Sequence, residues 1–107
     1  MADGMLPAVE VIFANDVIAF LIESVESPRV LARIEQQKGM LELFPEMGRA
    51  YQPEYEAAYP PVPCRWIAVP DTPFTLYYHF DERAQKVVVF SIEHQRMSPV
   101  GRFPQSQ

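Results

Sequence analysis

The amino-acid sequence predicts a small α+β domain. Three observations lead to this class: one β-branched run near the N-terminus, two consecutive helical patterns after it, and three β-rich runs in the second half of the chain. Helices and strands are therefore segregated along most of the chain, which is typical of α+β folds and not of alternating α/β folds. The predicted order of elements is β-α-α-β-β-β.

The first strand and the first helix are predicted from residues 8 to 25. Ala8–Phe13 is β-branched and alternates weakly, as a strand does. Asn15 is expected to cap the first helix, with the negative charge of Asp16 favourably placed in its first turn. Apolar residues recur at helical spacing from Val17 to Val25 and predict about three turns.

A second helix is predicted directly after the first. Ser27 is expected to be its N-cap, and Pro28 suits the first helical position, where its missing N–H costs nothing. The helical pattern continues to Leu43 or Phe44, and Pro45 stops it. Because the link between the two helices is short, they are expected to pack as a hairpin.

The second half of the chain combines one irregular segment with three strands. Arg49–Pro63 holds four prolines and three tyrosines (Tyr51, Tyr55 and Tyr59), and it is expected to be an aromatic loop over the edge of the core. The strands are predicted at Arg65–Val69, Phe74–Phe80 and Lys86–Ile92, with Asp81–Gln85 as a hairpin loop. In the second of them, one face is predicted to consist of Phe74, Leu76, Tyr78 and Phe80, and the other of Thr75, Tyr77 and His79. Lys86–Ile92 is apolar on both faces and should be a central strand.

Length and composition limit the classes of function. With 107 residues the chain is expected to form one domain over residues 1–107, with flexible tails at residues 1–7 and 100–107. A net charge of −5 argues against non-specific nucleic-acid binding. No apolar run reaches the length of a membrane helix, no secretory signal is evident, and the lone Cys64 suits a reducing cytoplasm. One cysteine and two histidines give no zinc-ligand spacing, so no metal or other cofactor is expected.

A set of polar residues near the ends of the predicted strands could carry chemistry. The candidates are His94, Arg96, Arg65, Tyr77 or Tyr78, Glu46 and Arg49. In an RNA-cleaving site, a Glu or His would take the 2′-hydroxyl proton, an Arg would neutralise the phosphorane, and a Tyr or His would protonate the leaving oxygen. The alternative is structural: His94 at a strand end is more often a packed or partner-binding residue, and Arg49 after a glycine is more often a local cap or an ion-pair partner.

Two short motifs give the chain a family resemblance. Residues 44–49 read Phe-Pro-Glu-Met-Gly-Arg, and residues 92–96 read Ile-Glu-His-Gln-Arg. In this order and at this spacing, over about residues 8 to 99, they resemble the RelE/ParE toxins of bacterial type II toxin–antitoxin modules. The resemblance implies a small antiparallel sheet packed on the helix hairpin. It also implies a cytoplasmic toxin neutralised by an antitoxin whose C-terminal segment wraps the helices and the sheet.

The two branches of this family imply different activities. RelE-type toxins cleave messenger RNA in the ribosomal A site without metal, and ParE-type toxins poison DNA gyrase. The RelE branch offers two lysines and an arginine at places that here hold Trp66, Ala68 and Thr75, and its later arginine falls at Met97, beside Arg96. Neutral residues at these places remove the charge stabilisation on which metal-free phosphoryl chemistry depends.

The sequence therefore favours a ParE-like toxin that inhibits growth by binding a cellular target, with DNA gyrase as the candidate, and is held by a cognate antitoxin. The alternatives are a ribosome-dependent messenger-RNA endonuclease and a degenerate homologue that binds antitoxin without being toxic. The binding residues would be Arg49, Tyr77, Tyr78, His94 and Arg96. Under the nuclease alternative only, the catalytic residues would be Glu46, Arg65, His94 and Arg96. Assembly as a homodimer or as a toxin–antitoxin hetero-oligomer is compatible with either activity.

Overall fold

The computed structural model describes residues 9–51 and 63–94. These residues form two helices and five strands, in the order β1 (Glu10–Phe13), α1 (Asn15–Ser24), α2 (Pro28–Leu43), β2 (Arg49–Ala50), β3 (Arg65–Ala68), β4 (Phe74–Asp81) and β5 (Lys86–His94). The α+β class and the element order are confirmed, and the very short β2 is an additional strand. The predicted tails, Ala8, Tyr55, Tyr59, Arg96 and Met97 lie outside the described residues.

The strands form one sheet in the order β1-β5-β4-β3-β2. Strands β2 to β5 pair antiparallel, whereas β1 pairs parallel with β5. The sheet is therefore mixed and differs at one edge from the antiparallel prediction. The difference has a physical reason: a hairpin turn fixes the relative direction of two strands, but β1 reaches its neighbour only through the rest of the chain.

The helix caps follow the sequence prediction at α2 but not at α1. Ser27 is the N-cap of α2, its hydroxyl accepts a hydrogen bond from the Val30 N–H, and Pro28 occupies the first turn. Helix α1 instead begins at Asn15 itself, with Ala14 at the N-cap and no side-chain capping bond. The prediction of Asn15 as a cap was therefore wrong by one residue: Ala14 is the last residue with an extended backbone, held to β5 by its hydrogen bond to the Val89 carbonyl, and the helix begins one residue earlier than the cap pattern suggests.

Both faces of the sheet are covered, by different clusters. The core on the helix face includes Val11, Val17, Val25, Val30, Ile34, Leu41, Leu76, Tyr78, Val87 and Val89. The face that points away from the helices, here called the distal face, carries a smaller cluster of Cys64 and Tyr77 with Tyr51, Trp66 and Phe90 packed against it. The predicted alternation in β4 is confirmed, since Phe74, Leu76, Tyr78 and Phe80 all belong to the helix-face core.

A β-bulge in β5 changes which residues face the core. Tyr77 lies opposite Ser91 and Tyr78 lies opposite Val89, so Phe90 is an extra residue without a partner across the ladder. Val89 and Ile92 both pack on the helix face as a result. Glu93 is thereby placed on the distal face.

Candidate functional site

The turn after α2 is fastened to the sheet by hydrogen bonds around Gly48. The Gly48 N–H donates to the Tyr78 hydroxyl at 2.8 Å, and the Arg65 guanidinium donates to the Gly48 carbonyl at 2.8 Å. A Cβ atom at residue 48 would lie 2.7 Å from the Tyr78 oxygen and 2.8 Å from the Trp66 carbonyl oxygen, so only glycine allows this close approach. Burial raises the pKa of Tyr78, so its hydroxyl stays protonated at neutral pH.

Glu46 and Arg65 lie at one end of the sheet, where β3 begins and β4 ends. They line a polar cavity of about 310 Å³ together with Cys64, His79 and Glu82. The His79 ring nitrogen Nδ1 lies 3.0 Å from the Pro63 carbonyl oxygen. Desolvation by burial raises the pKa of the Cys64 thiol to about 11, so this thiol is neutral at physiological pH and is a poor nucleophile.

His94 lies at the other end of the sheet. It pairs across the ladder with Phe74, and the two rings meet edge to face at 5.6 Å between centroids. Arg65 pairs with Tyr78, four residues further along β4, which is about 13 Å along the strand. The structure therefore brings Glu46, Arg65 and Tyr78 near one another but does not bring His94 to them. Because Arg96 lies outside the described residues, the proposed catalytic set stays a prediction.

The distal face is organised around a buried pair. The Tyr77 hydroxyl donates to a Glu93 carboxylate oxygen at 2.6 Å, and the side chain of Glu93 is only 5% exposed. The Tyr51 ring meets the Tyr77 ring edge to face at 5.3 Å, which confirms that this part of the aromatic segment covers the core edge. At the rim, the Arg49 guanidinium lies 5.8 Å from the centre of the Trp66 ring, within cation–π range.

Positive charge is scarce on the central part of this face. Apart from the Asp81–Lys86 pair at one end and Arg49 of β2 at the rim, the described residues of β3, β4 and β5 present Trp66, Ala68, Thr75, Tyr77, His79, Val88, Phe90, Ser91 and Glu93 to the distal side. None of these is a lysine or an arginine, and the one carboxylate is buried at the centre. A surface of this composition offers little to offset the charge of a phosphorane.

An apolar groove of about 330 Å³ opens on the helix side between α1, α2 and β1. Its lining is mainly apolar and consists of Val11, Phe13, Ile18, Leu21, Leu31, Ile34, Glu35 and Lys38. The Glu10 N–H donates to the Gln85 carbonyl beside β5, and the Ala14 N–H donates to the Val89 carbonyl within β5. The backbone groups of Val11 and Phe13 therefore point to the outer side, where no strand of the described chain lies.

The described residues provide neither a metal centre nor a membrane span. Within residues 9–51 and 63–94, no three His, Cys, Asp or Glu side chains converge in a way that could hold a metal ion. Neither described helix has the length and apolar character that crossing a bilayer requires.

Comparison with known proteins identifies the family. Residues 11–99 match the family model described as "ParE toxin of type II toxin-antitoxin system, parDE". The chain belongs to this ParE toxin family. It is therefore the toxin component of a type II toxin–antitoxin module within the RelE/ParE superfamily, and this family membership implies a cognate antitoxin as partner.

Solved structures agree with the fold of this ParE-family toxin. A mutant of the E. coli toxin RelE in the free state, with two arginines replaced by alanine, is 15% identical, with a TM-score of 0.62; the match covers 87% of this chain and 90% of that one. The isolated E. coli RelE toxin is 18% identical, with a TM-score of 0.51, and the match covers 85% of this chain and 88% of that one. No curated protein matches the sequence. At these identities the two structures support the fold alone.

Sequence reasoning missed two features of this ParE-family toxin. The buried Glu93 went unnoticed because the bulge at Phe90 moves it to the distal face, although a charged residue inside an apolar strand was a usable signal. The role of Gly48 was also missed, since its close approach to Tyr78 depends on tertiary packing between residues 30 positions apart.

Proposed function

We propose that this ParE-family toxin inhibits growth by binding a cytoplasmic target protein, with DNA gyrase as the candidate, and not by cutting messenger RNA. The observation that carries the proposal is the distal face, where a buried Tyr77–Glu93 pair and neutral neighbours stand in place of a cationic surface. Metal-free RNA cleavage needs preorganised positive charge around the transferred phosphate. The overall charge of −5 supports the same conclusion, because it opposes attraction to RNA.

The groove supports the other half of the proposed function, which is neutralisation by an antitoxin. An extended segment could pair with the outward backbone groups of β1 while its apolar side chains enter the groove beneath α1 and α2. This mode of binding combines main-chain hydrogen bonds with side-chain specificity. The toxin would not inhibit growth while the antitoxin occupies the groove.

Induced expression tests the proposed target class. Cells expressing the toxin should show altered plasmid supercoiling, and mapping of transcript 5′ ends should show no codon-phased cuts. Transcripts should show no codon-phased cuts with either the unmodified toxin or the variant His94→Ala, because His94 lies against Phe74 and away from Arg65. Codon-phased cuts that disappear in His94→Ala would contradict the proposal.

The groove is tested by a matched pair of charge substitutions. Leu31 lines the groove on α2, so Leu31→Glu should weaken binding of the antitoxin at least tenfold, or about 1.4 kcal/mol. Ile22 is 77% exposed on α1 and does not line the groove, so Ile22→Glu should leave antitoxin binding unchanged. Calorimetric titration measures both, and equal losses in the two variants would exclude the groove as the binding site.

A further inference from the structure

A second apolar surface lies at the end of α2, away from the groove. It consists of Met40, Leu43, Phe44 and Met47, all of them exposed, and is here called the α2-end patch. None of these four side chains lines the groove. The spacing of Met40, Leu43 and Phe44 places them on one side of the helix end, and Met47 follows in the turn, where its sulfur contacts Gln37 of the same helix.

Backbone hydrogen bonds fold the chain back into a turn after the helix has ended. The Phe44 N–H donates to the Met40 carbonyl at 2.8 Å, and the Met47 N–H donates to the Phe44 carbonyl at 3.1 Å. Leu43 is 64% exposed, Phe44 54%, Met40 42% and Met47 40%, so four large apolar side chains within eight residues of chain are all exposed. Contiguous exposed apolar surface of this kind marks interaction sites more often than isolated exposed residues do.

A buried amide lies beneath the patch. The Gln37 side chain is 5% exposed, and its nitrogen Nε2 donates to the Met47 sulfur at 3.6 Å. A thioether is a weak acceptor, so this contact satisfies the amide poorly. No donor to the Gln37 amide oxygen is found among the described residues.

The electrostatics of the patch select the partner. The segment Gly39–Gly48 contains two carboxylates, Glu42 and Glu46, and no lysine or arginine, while Lys38 and Arg49 flank it and Arg65 lies near Glu46. The last turn of α2 has no basic residue, so the negative end of the helix dipole is not compensated there. Neither carboxylate forms an ion pair within the described part of the chain. A second copy of the chain would bring like charges together, and this disfavours self-association through the patch.

We infer that the α2-end patch docks a partner protein through an amphipathic helix whose apolar face is flanked by lysine or arginine. The apolar side chains would cover Leu43 and Phe44, and the basic flanks would neutralise Glu42 and Glu46. Identifying this partner as the cellular target, whose inhibition stops growth, rests on the proposed function. The groove would then bind the antitoxin, and the α2-end patch would bind the target.

The chemistry of the partner can be tested with two model peptides and the full-length toxin. One peptide is an amphipathic helix with leucines on one face and lysines on both flanks, and the other carries glutamates in place of the lysines. The toxin is labelled with ¹³C at its methionine methyl groups, and the Met40 and Met47 signals are assigned with Met40→Leu and Met47→Leu. The lysine peptide should shift both signals and bind at least tenfold more tightly than the glutamate peptide.

Surface variants make this test specific. Leu43→Ala and Phe44→Ala should each weaken binding of the lysine peptide at least fivefold, with an unchanged denaturation midpoint because both side chains are exposed. Ile22→Ala removes an equally exposed apolar side chain elsewhere and should have no effect. Equal binding of the two peptides, equal losses in Ile22→Ala, or a dimer that forms through the patch would each overturn the inference. Cleavage of messenger RNA by the toxin would contradict the proposed function without changing the peptide result, so the two failures are distinguishable.

Discussion

Gly48 shows how a single residue can join two parts of this fold. Its N–H and its carbonyl bond to Tyr78 and Arg65, which come from neighbouring strands, so the turn after α2 is held against the sheet. This geometry gives Arg65 a structural role that does not depend on catalysis, because its guanidinium holds the turn in place. The sequence alternation in β4 predicts that Tyr78 faces the core. The contact between Tyr78 and Gly48 could not be predicted in this way.

Replacing Gly48 should therefore destabilise the toxin. Gly48→Ala places a methyl group against the Tyr78 oxygen and the Trp66 carbonyl, and we expect a loss of about 1–3 kcal/mol in the free energy of unfolding. Tyr78→Phe should cost a similar amount, because it leaves the Gly48 N–H without its acceptor. Urea denaturation of both variants and of the double variant checks this, and the two losses should not add, since the groups are in contact. Full additivity would contradict the described contact.

Cys64 offers a test that depends on pH. Burial raises its thiol pKa from 9.0 to about 11, so the folded protein holds this proton more tightly than the unfolded chain does. The contribution of the protonated Cys64 thiol to the free energy of unfolding is present below about pH 9 and is lost as the pH rises through about 11. We expect alkylation by iodoacetamide at pH 8 to be at least tenfold slower than in the urea-unfolded toxin, and to accelerate only towards pH 11. Equal rates at pH 8 would contradict the burial of this thiol.

Among the helices and strands, features set by neighbouring residues could be predicted from the sequence, whereas features set by tertiary contacts could not. The start of α2 was predicted correctly because Ser27 and Pro28 act within one turn of chain. The parallel pairing of β1 with β5 and the bulge at Phe90 were not, because both depend on partners that are distant in sequence. The bulge matters most for the site, since it places Glu93 beside Tyr77.

The two helix starts provide a matched comparison. Ser27→Ala should cost about 1 kcal/mol in the free energy of unfolding, because it removes the hydrogen bond from the Val30 N–H. Asn15→Ala should change it by less than about 0.5 kcal/mol, because Asn15 makes no capping bond. Thermal or chemical denaturation measures both. A larger loss in Asn15→Ala than in Ser27→Ala would reverse the assignment of the caps.

At the scale of the whole molecule, charge and apolar surface are distributed unevenly. Strands β3 to β5 carry the aromatic distal face with the buried Glu93, and the helices carry two apolar surfaces, the groove and the α2-end patch. The family could be predicted from the two short motifs. The groove and the patch could not, because periodicity marks a helical residue as apolar but does not say whether a neighbouring element covers it.

We propose that this toxin acts by binding proteins because, among the described residues, the central part of the distal face carries no lysine or arginine to stabilise the charge that develops in RNA cleavage. The most direct measurement adds the purified toxin to ribosomes translating a defined messenger RNA and maps the transcript ends by primer extension. We predict that the transcript stays intact at a tenfold excess of toxin over ribosomes. Cuts at the ribosomal A site that require the toxin would contradict action by protein binding alone.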